Sequence, residues 1–152
     1  AQARLIQLAN VHADDLVLDV GCTTGYSTAI LARLAGAVIG LEPDEELAAQ
    51  ATATLTELEA DNADIAVGSL REGAPAEGPY DVIVLEGSVP DAPTELLAQL
   101  KDGGRLVAIL RENGLSSAFL LEKIGTDISR RRAFDAGAPP LPGFEERPAF
   151  VF

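Results

Sequence analysis

The sequence is poor in the residues that build metal centres, disulfides and nucleic-acid grooves. Among 152 residues there is one cysteine, Cys22, and one histidine, His12. One cysteine excludes an internal disulfide and a cysteine-rich zinc site, and one histidine excludes a histidine metal cluster, so no metal is expected. A Ser-His-Asp triad would have to use His12, and no serine elbow accompanies it. Basic residues are also scarce: 11 Lys and Arg stand against 24 Asp and Glu, a formal net charge of −13. Binding a phosphate backbone needs clustered cations that displace counterions, so no nucleic-acid partner is expected. The one dense basic run, Arg130-Arg131-Arg132, lies among acids along the chain and reads as a solvated strand face. No apolar run approaches the ~18 residues of a membrane helix, and no secretory apolar segment is visible. No membrane partner is expected, and a reducing, cytoplasmic setting is the default. Methionine is absent, even at the first position. That fits removal of an initiator before Ala1, and it fits equally a piece whose N-terminal part is absent.

What the chain does have is an alternation of short apolar runs and amphipathic segments over a length suited to one domain, residues 1–152. Leu5, Ile6, Leu8 and Ala9 recur at helical spacing in residues 1–10. Leu16–Val20 reads as a strand, and Gly25 to Ala35 as a helix with Ala29, Ile30 and Leu34 on one face. Gly36 stops that helix before the strand Ala37–Leu41. Pro43-Asp44 opens a helix with acids in its first turn, burying Leu47, Ala51, Leu55 and Leu58. Ile65-Ala66-Val67 is a short strand, 71–79 a Gly/Pro/Ala loop, and Asp81–Leu85 a wholly covered parallel strand. Leu96, Leu97 and Leu100 mark a helix, Lys101-Asp102-Gly103-Gly104 a turn, and Arg105–Leu110 a fifth strand. This alternation predicts an α/β fold with a doubly wound, mostly parallel sheet. Residues 117–124 and 128–134 predict a closing antiparallel hairpin, with a helix over 116–124 as the alternative. The tail Pro139–Phe144 suits neither helix nor central strand, and Ala149–Phe152 could add a short edge strand.

The chemistry concentrates at two strand ends. Leu16–Val20 runs into Asp19, Gly21, Cys22, Thr23, Thr24 and Gly25, a glycine turn before a helix, and the second strand ends in Glu42. Glycines let backbone N–H groups approach a ligand, and an acid after the second strand can accept from ribose hydroxyls. A P-loop is excluded, because no Gly-Lys-Ser/Thr follows the first strand. A dinucleotide fingerprint would put glycine at 21, 23 and 26, and the chain has it only at 21. Cys22 reads as a small buried residue, His12 as a surface residue, and Glu86 as either a structural acid or a ligand contact.

Asp19, Gly21 and Gly25 match motif I of the S-adenosylmethionine-dependent methyltransferases, with Thr23 at the middle glycine. The chain further resembles the protein-L-isoaspartate O-methyltransferases. The residues that carry this are Val17–Gly21, Gly25–Ala29, Leu31–Gly36, Gly78–Val84 and Leu96–Val107, together spanning about residues 5–110, and the tail Pro139–Phe152 resembles a bacterial subgroup of that family. The resemblance implies a Rossmann-like methyltransferase sheet and S-adenosylmethionine as cofactor. It places Asp19, Gly21, Cys22, Thr23, Gly25, Glu42, Pro43, Ser69, Leu70 and Glu86 around that cofactor, with Ser69-Leu70 beside adenine. It implies a protein or peptide substrate with isoaspartyl residues, methylated on the carboxylate in damaged proteins, and no residue is assigned as a catalytic base. The family has glycine where Thr23 stands and often Asp where Ser69 stands. Its members also carry a further segment, with a Ser/Thr-bearing motif for the isoaspartyl carboxylate, ahead of the part matched here. Residues 1–152 alone are therefore expected not to methylate isoaspartyl peptides. Two other readings stand beside this one: a diverged, catalytically silent nucleoside-binding module, and a small-molecule methyltransferase.

Overall fold

The computed structural model of the chain describes residues 2–144. In order, the elements are helix α1 (Gln2–Ala9), strand β1 (Leu16–Val20), α2 (Tyr26–Ala32), β2 (Ala37–Glu42), α3 (Glu45–Glu57), β3 (Ala63–Val67), β4 (Tyr80–Val89), α4 (Thr94–Leu97), β5 (Leu100–Glu112), β6 (Leu115–Ile124) and β7 (Asp127–Asp135). The strands form one seven-stranded sheet in the order β3-β2-β1-β4-β5-β6-β7. Strands β1 to β5 pair in parallel, and β6 and β7 are antiparallel additions. The strand order reverses between β1 and β4, which opens a crevice at their C-terminal ends.

Alternation along the central strands divides the core in two. Leu18 and Val20 of β1 and Ile83 and Leu85 of β4 pack on one face with Leu41, Leu70, Tyr80 and Leu96. Val17, Val82 and Val84 pack on the other with Leu5, Ile6 and Ala9 of α1 and Leu31 of α2. Asp19 shares the parity of Val17, so its carboxylate points into the second layer, toward α2. Helix α1 is fixed from below by Arg105, whose guanidinium donates to the Ala9 and Asn10 carbonyls, both at 2.5 Å, and to Asp15 at 3.0 Å. These carbonyls belong to the helix end, where no intrahelical donor exists. Arg105→Ala is therefore expected to lower stability by about 1.5–3 kcal/mol, the range for hydrogen bonds to a charged group. Urea denaturation of the two proteins measures it.

The strands read from sequence recur, with β4 and β5 running well beyond the expected Asp81–Leu85 and Arg105–Leu110, and the hairpin at 115–135 forms rather than the alternative helix. The helices differ more. Helix α2 ends at Ala32, and Ile30 and Leu34 are exposed, while Ser27, Thr28, Ala29, Leu31 and Ala32 are buried. The apolar residues Ile30 and Leu34 lie opposite the buried face because α2 turns its polar Ser27 and Thr28 inward to Asp19. In α3, Ala51 and Leu55 are buried as expected, but Ala48 and Thr54 complete the face, Leu47 is half-buried and Leu58 is exposed. The expected helix through Leu100 is the single turn α4, and Leu100 begins β5. The expected turn Lys101–Gly104 is instead an irregularity inside β5, where pairing with β4 steps from Tyr80↔Leu100 to Val82↔Arg105. The tail Pro139–Leu141 lies along the end of β4: Ser88 N–H donates to the Pro139 carbonyl and Leu141 N–H to the Ser88 carbonyl, both at 2.9 Å. The edge strand expected at Ala149–Phe152 lies outside the described residues. Among the described residues, no helix is long and apolar enough to cross a membrane.

Candidate cofactor site

The β1–α2 turn is built by hydrogen bonds that any residue could make and by backbone angles that few residues tolerate. Gly21 and Cys22 N–H both donate to the Leu41 carbonyl, at 2.9 and 3.1 Å, and Gly25 N–H to the Cys22 carbonyl at 2.9 Å. Gly21, Thr23 and Gly25 all have positive φ, of 85°, 47° and 90°. At Thr23 this is a strained conformation for a β-branched residue. The strain is held in place from β2: Glu42 Oε1 accepts from Thr23 N–H at 3.1 Å, and Oε2 from Asp44 N–H at 2.9 Å. Glu42 is buried and is the last residue of β2, so one carboxylate ties the glycine turn to the start of α3. An ionised carboxylate offers about four lone-pair sites, so Glu42 keeps capacity to accept from hydroxyls. Asp44 caps α3 by accepting from Glu46 and Leu47 N–H at 2.9 and 3.1 Å.

Below the turn, Asp19 is fully buried. Its Oδ2 accepts from the Ser27 hydroxyl at 2.6 Å and the Thr28 hydroxyl at 2.9 Å. Beside it, Glu86 lies in the second half of β4. Asp19 pairs with Val84, and Glu86 lies two residues further on, inside the irregularity of β4 between Val84 and Ser88. Burial, and then the Asp19 carboxylate, push Glu86 from 4.5 up to about 10, so it is a neutral acid at pH 7. Glu86 Oε1 accepts from the Gln2 amide of α1 at 3.0 Å. Cys22 is buried, and burial together with Asp19 pushes its thiol up to about 12, which makes it inert as a nucleophile.

A cavity of about 400 Å³ opens here, at the C-terminal ends of β1 and β4, lined by Gly21, Thr23, Tyr26, Ser27, Glu86 and Gln2 among others. That is the size of a small-ligand site. Of the residues singled out from sequence, Gly21, Thr23 and Glu86 meet in this wall. Asp19 lies behind it, with one oxygen reaching Ser27 of the lining. Gly25 is spent on packing, because a Cβ there would come within 2.9 Å of the Ala51 backbone. Glu42, Pro43, Ser69 and Leu70 lie outside the cavity lining, around the β2 and β3 ends: Glu42 and Leu70 are buried, and Pro43 and Ser69 exposed. Sequence reasoning missed Gln2, Ser27, Thr28 and Leu141. Ser27 and Thr28 carried no signal, because apolar spacing placed the face of Ile30 and Leu34 inward instead. Leu141 arrives from the tail and sets a methyl 2.7 Å from where a Gly21 side chain would begin, also touching the Leu70 side of the site. Nothing local in the sequence announces that contact.

A parallel doubly wound sheet closed by antiparallel strands, with an acid near the end of β1, a glycine turn after it and a buried acid closing β2, defines a class I methyltransferase fold. The comparisons with known proteins narrow this. The model of the protein-L-isoaspartate(D-aspartate) O-methyltransferase family matches residues 1–135, and the chain belongs to that family. Protein-L-isoaspartate O-methyltransferases that it resembles include that of Koribacter versatilis, 36% identical over 141 residues, covering 93% of this chain and 64% of the relative. That of Methanoregula boonei is 35% identical, covering 93% and 65%. That of Chromohalobacter salexigens is 42% identical over 111 residues, covering 73% and 48%. The chain thus spans less than two thirds of the length of these curated relatives. Among solved structures, a protein-L-isoaspartate O-methyltransferase superposes with a TM-score of 0.85 at 24% identity, over 93% of this chain and 46% of that one. A Plasmodium falciparum chain named for the same activity and solved with S-adenosyl-L-homocysteine gives a TM-score of 0.73 at 24% identity, covering 91% and 70%. At these identities the two structures establish the fold.

Proposed function

We propose that residues 1–152 form a single S-adenosylmethionine-binding domain of a methyltransferase that acts on the carboxylate of isoaspartyl residues in proteins or peptides. The observation that carries this reading is the cavity at the β1/β4 switch point, walled by Gly21 and Thr23 of the turn and by Glu86. Family membership and the names of the curated relatives support the substrate class. The residues present suit such a cofactor. An unpartnered oxygen remains on each of the buried acids Asp19 and Glu86, Gly21 presents bare backbone to the wall, and Glu42 retains acceptor capacity for ribose hydroxyls. Asp19, Gly21, Cys22, Thr23 and Glu86 would hold the amino-acid side of the cofactor. Glu42, Pro43, Ser69 and Leu70 would hold the nucleoside, and Gly25 would act by fixing the turn.

Bound S-adenosylmethionine supplies a methyl group already activated as a sulfonium. A substrate carboxylate is nucleophilic at neutral pH, so the chain needs no general base. Its residues have to orient the two groups and exclude water. The S-adenosyl-L-homocysteine bound to the Plasmodium falciparum structure makes that compound a suitable probe. Titration calorimetry is expected to give saturable binding, and no detectable heat at millimolar ligand would favour the silent-module reading. Glu42→Ala is expected to weaken this binding by about 1.5–3 kcal/mol, with Glu42→Gln losing less because an amide oxygen still accepts. Unchanged affinity in Glu42→Ala would remove the ribose assignment. Radiolabelled methyl transfer to an isoaspartyl peptide tests the substrate.

A further inference from the structure

Arg71, Lys101, Arg105, Arg130 and Arg132 each pair with an acid of the chain itself. Strand pairing sorts the basic run Arg130-Arg131-Arg132 between the two faces of the sheet. Arg130 and Arg132 stand opposite Leu121 and Phe119, on the face of Leu18 and Ile83, where Glu112, Asp91 and Asp135 answer them. Arg131 stands opposite Leu120, on the face that carries α1. Arg111 has the parity of Val107 and Ile109 and so belongs to that second face too. Arg4 of α1 lies over the Phe134 ring at 3.9 Å, a contact that orients the guanidinium without neutralising it. All three arginines are exposed, and among the described residues no carboxylate pairs with any of them. The patch adjoins the cavity. Ile109 lines the cavity and pairs through Ala118 to Phe134, the row on which Arg4 lies. Arg111 comes two residues later, ~7 Å further toward the end of the strand. Gln2 and Leu5, on either side of Arg4, line the same cavity. The acids that β6 and β7 place on this face, Glu122 and Asp127, pair in rows beyond Arg131, away from the cavity. On a chain with a formal net charge of −13, this rim reverses the sign of the surface.

We infer that Arg4 and Arg111, with Arg131 behind them, form a docking surface for an acidic peptide segment, so that this chain selects isoaspartyl residues lying in acidic stretches. The inference rests on the proposed substrate class and adds the sequence context around the reacting residue. No Lys or Arg lines the cavity itself, so acidic side chains flanking the reacting carboxylate find their counter-ions at this rim. A guanidinium offers a carboxylate two parallel N–H donors. The three arginines come from α1, β5 and β7 and stand in successive rows, so they suit carboxylates strung along an extended peptide rather than one small anion. The surplus of acids over the rest of the molecule repels such a peptide elsewhere, and the same charge distribution therefore steers it to the cavity mouth.

Fluorescence anisotropy of labelled peptides on the 152-residue chain, with and without S-adenosyl-L-homocysteine, tests the surface. Three peptides of one length carry a central isoaspartyl residue flanked on both sides by glutamate, glutamine or lysine. A fourth has ordinary aspartate between the glutamates. At pH 7 and low salt the glutamate peptide is expected to bind about 3- to 10-fold more tightly than the glutamine peptide. The lysine peptide is expected to bind more weakly than either, against the sign of the net charge. Added salt should narrow these differences. Arg111→Glu is expected to erase the preference for glutamate, and Arg4→Gln to reduce it. Arg111 is exposed and has no partner to lose, so its variant should fold. Arg33→Glu makes the same change in net charge at the end of α2 opposite Tyr26, which lines the cavity, and is expected to leave the preference in place. Equal loss in Arg33→Glu and Arg111→Glu overturns the docking surface, because net charge alone would then set the affinities. A glutamate peptide that binds no more tightly than the glutamine peptide, or does not bind, also overturns it. Neither result touches the cofactor reading, which fails separately if S-adenosyl-L-homocysteine does not bind. Equal binding of the isoaspartyl and aspartyl peptides overturns the isoaspartyl assignment and leaves the acidic docking surface standing.

Discussion

Substituting alanine for Gly25 is expected to destabilise the protein by about 2–5 kcal/mol, the sum of two independent penalties. The first is conformational. Gly25 has φ of 90°, a region that an L side chain enters at a cost of about 1–2 kcal/mol. The second is steric. The new Cβ would meet Ala51 Cα and the Ala51 carbonyl oxygen, both at 2.9 Å, and these are backbone atoms that cannot rotate away. Overpacking of this kind costs about 1–3 kcal/mol. Ala51→Gly should therefore rescue little, because it removes only the third contact, Ala51 Cβ at 3.1 Å. Urea denaturation of Gly25→Ala and of the double variant decides this, and a loss below about 1 kcal/mol would show that the turn relaxes at little cost. Pushing α2 from α3 would also strain the link from Glu42 to Thr23, so weaker nucleoside binding is expected alongside.

Glu86→Gln is expected to stabilise the protein increasingly as pH rises. Burial and Asp19 hold Glu86 at about 10 in the folded state, against 4.5 for the ordinary side chain. Between those values the folded protein keeps a proton that the unfolded chain gives up. Stability then falls with rising pH, by at most ~1.4 kcal/mol per unit. The contribution of the neutral acid is fully present below pH 4.5 and lost as pH passes through about 10. Glutamine has no proton to lose, and the other acids act alike in both proteins. The gap between their unfolding free energies should therefore open from about pH 5 to pH 9, with an upper bound of about 5–6 kcal/mol. Parallel curves over that range would show that Glu86 ionises normally.

Some of the site was legible in the chain because it is local. Asp19, Gly21 and Gly25 sit within seven positions, where one strand end must turn into a helix, and the residue types reveal what the backbone does there. Glu42 and Asp44 were legible for the same reason, as a strand-end acid and a helix cap. The helices were read less well. Apolar spacing put Ile30 and Leu34 inside, yet both are exposed. Periodicity counts apolar residues and cannot see that Asp19, on a different element, draws Ser27 and Thr28 inward. The same blindness hid Gln2, which meets Glu86 across 84 positions.

The sequence by itself determined the strand–helix alternation, the parallel sheet with its antiparallel close, the glycine turn and the two strand-end acids. Each of these depends on side-chain chemistry and backbone freedom within a few residues. Only the tertiary structure decided that Asp19 and Glu86 share a buried wall, that Gly25 is filled by Ala51 while Gly21 receives Leu141, and that the tail runs along β4. Those outcomes depend on burial and on distances between elements far apart in the chain. Desolvation, which turns an ordinary glutamate into a neutral acid, exists only once the elements have packed.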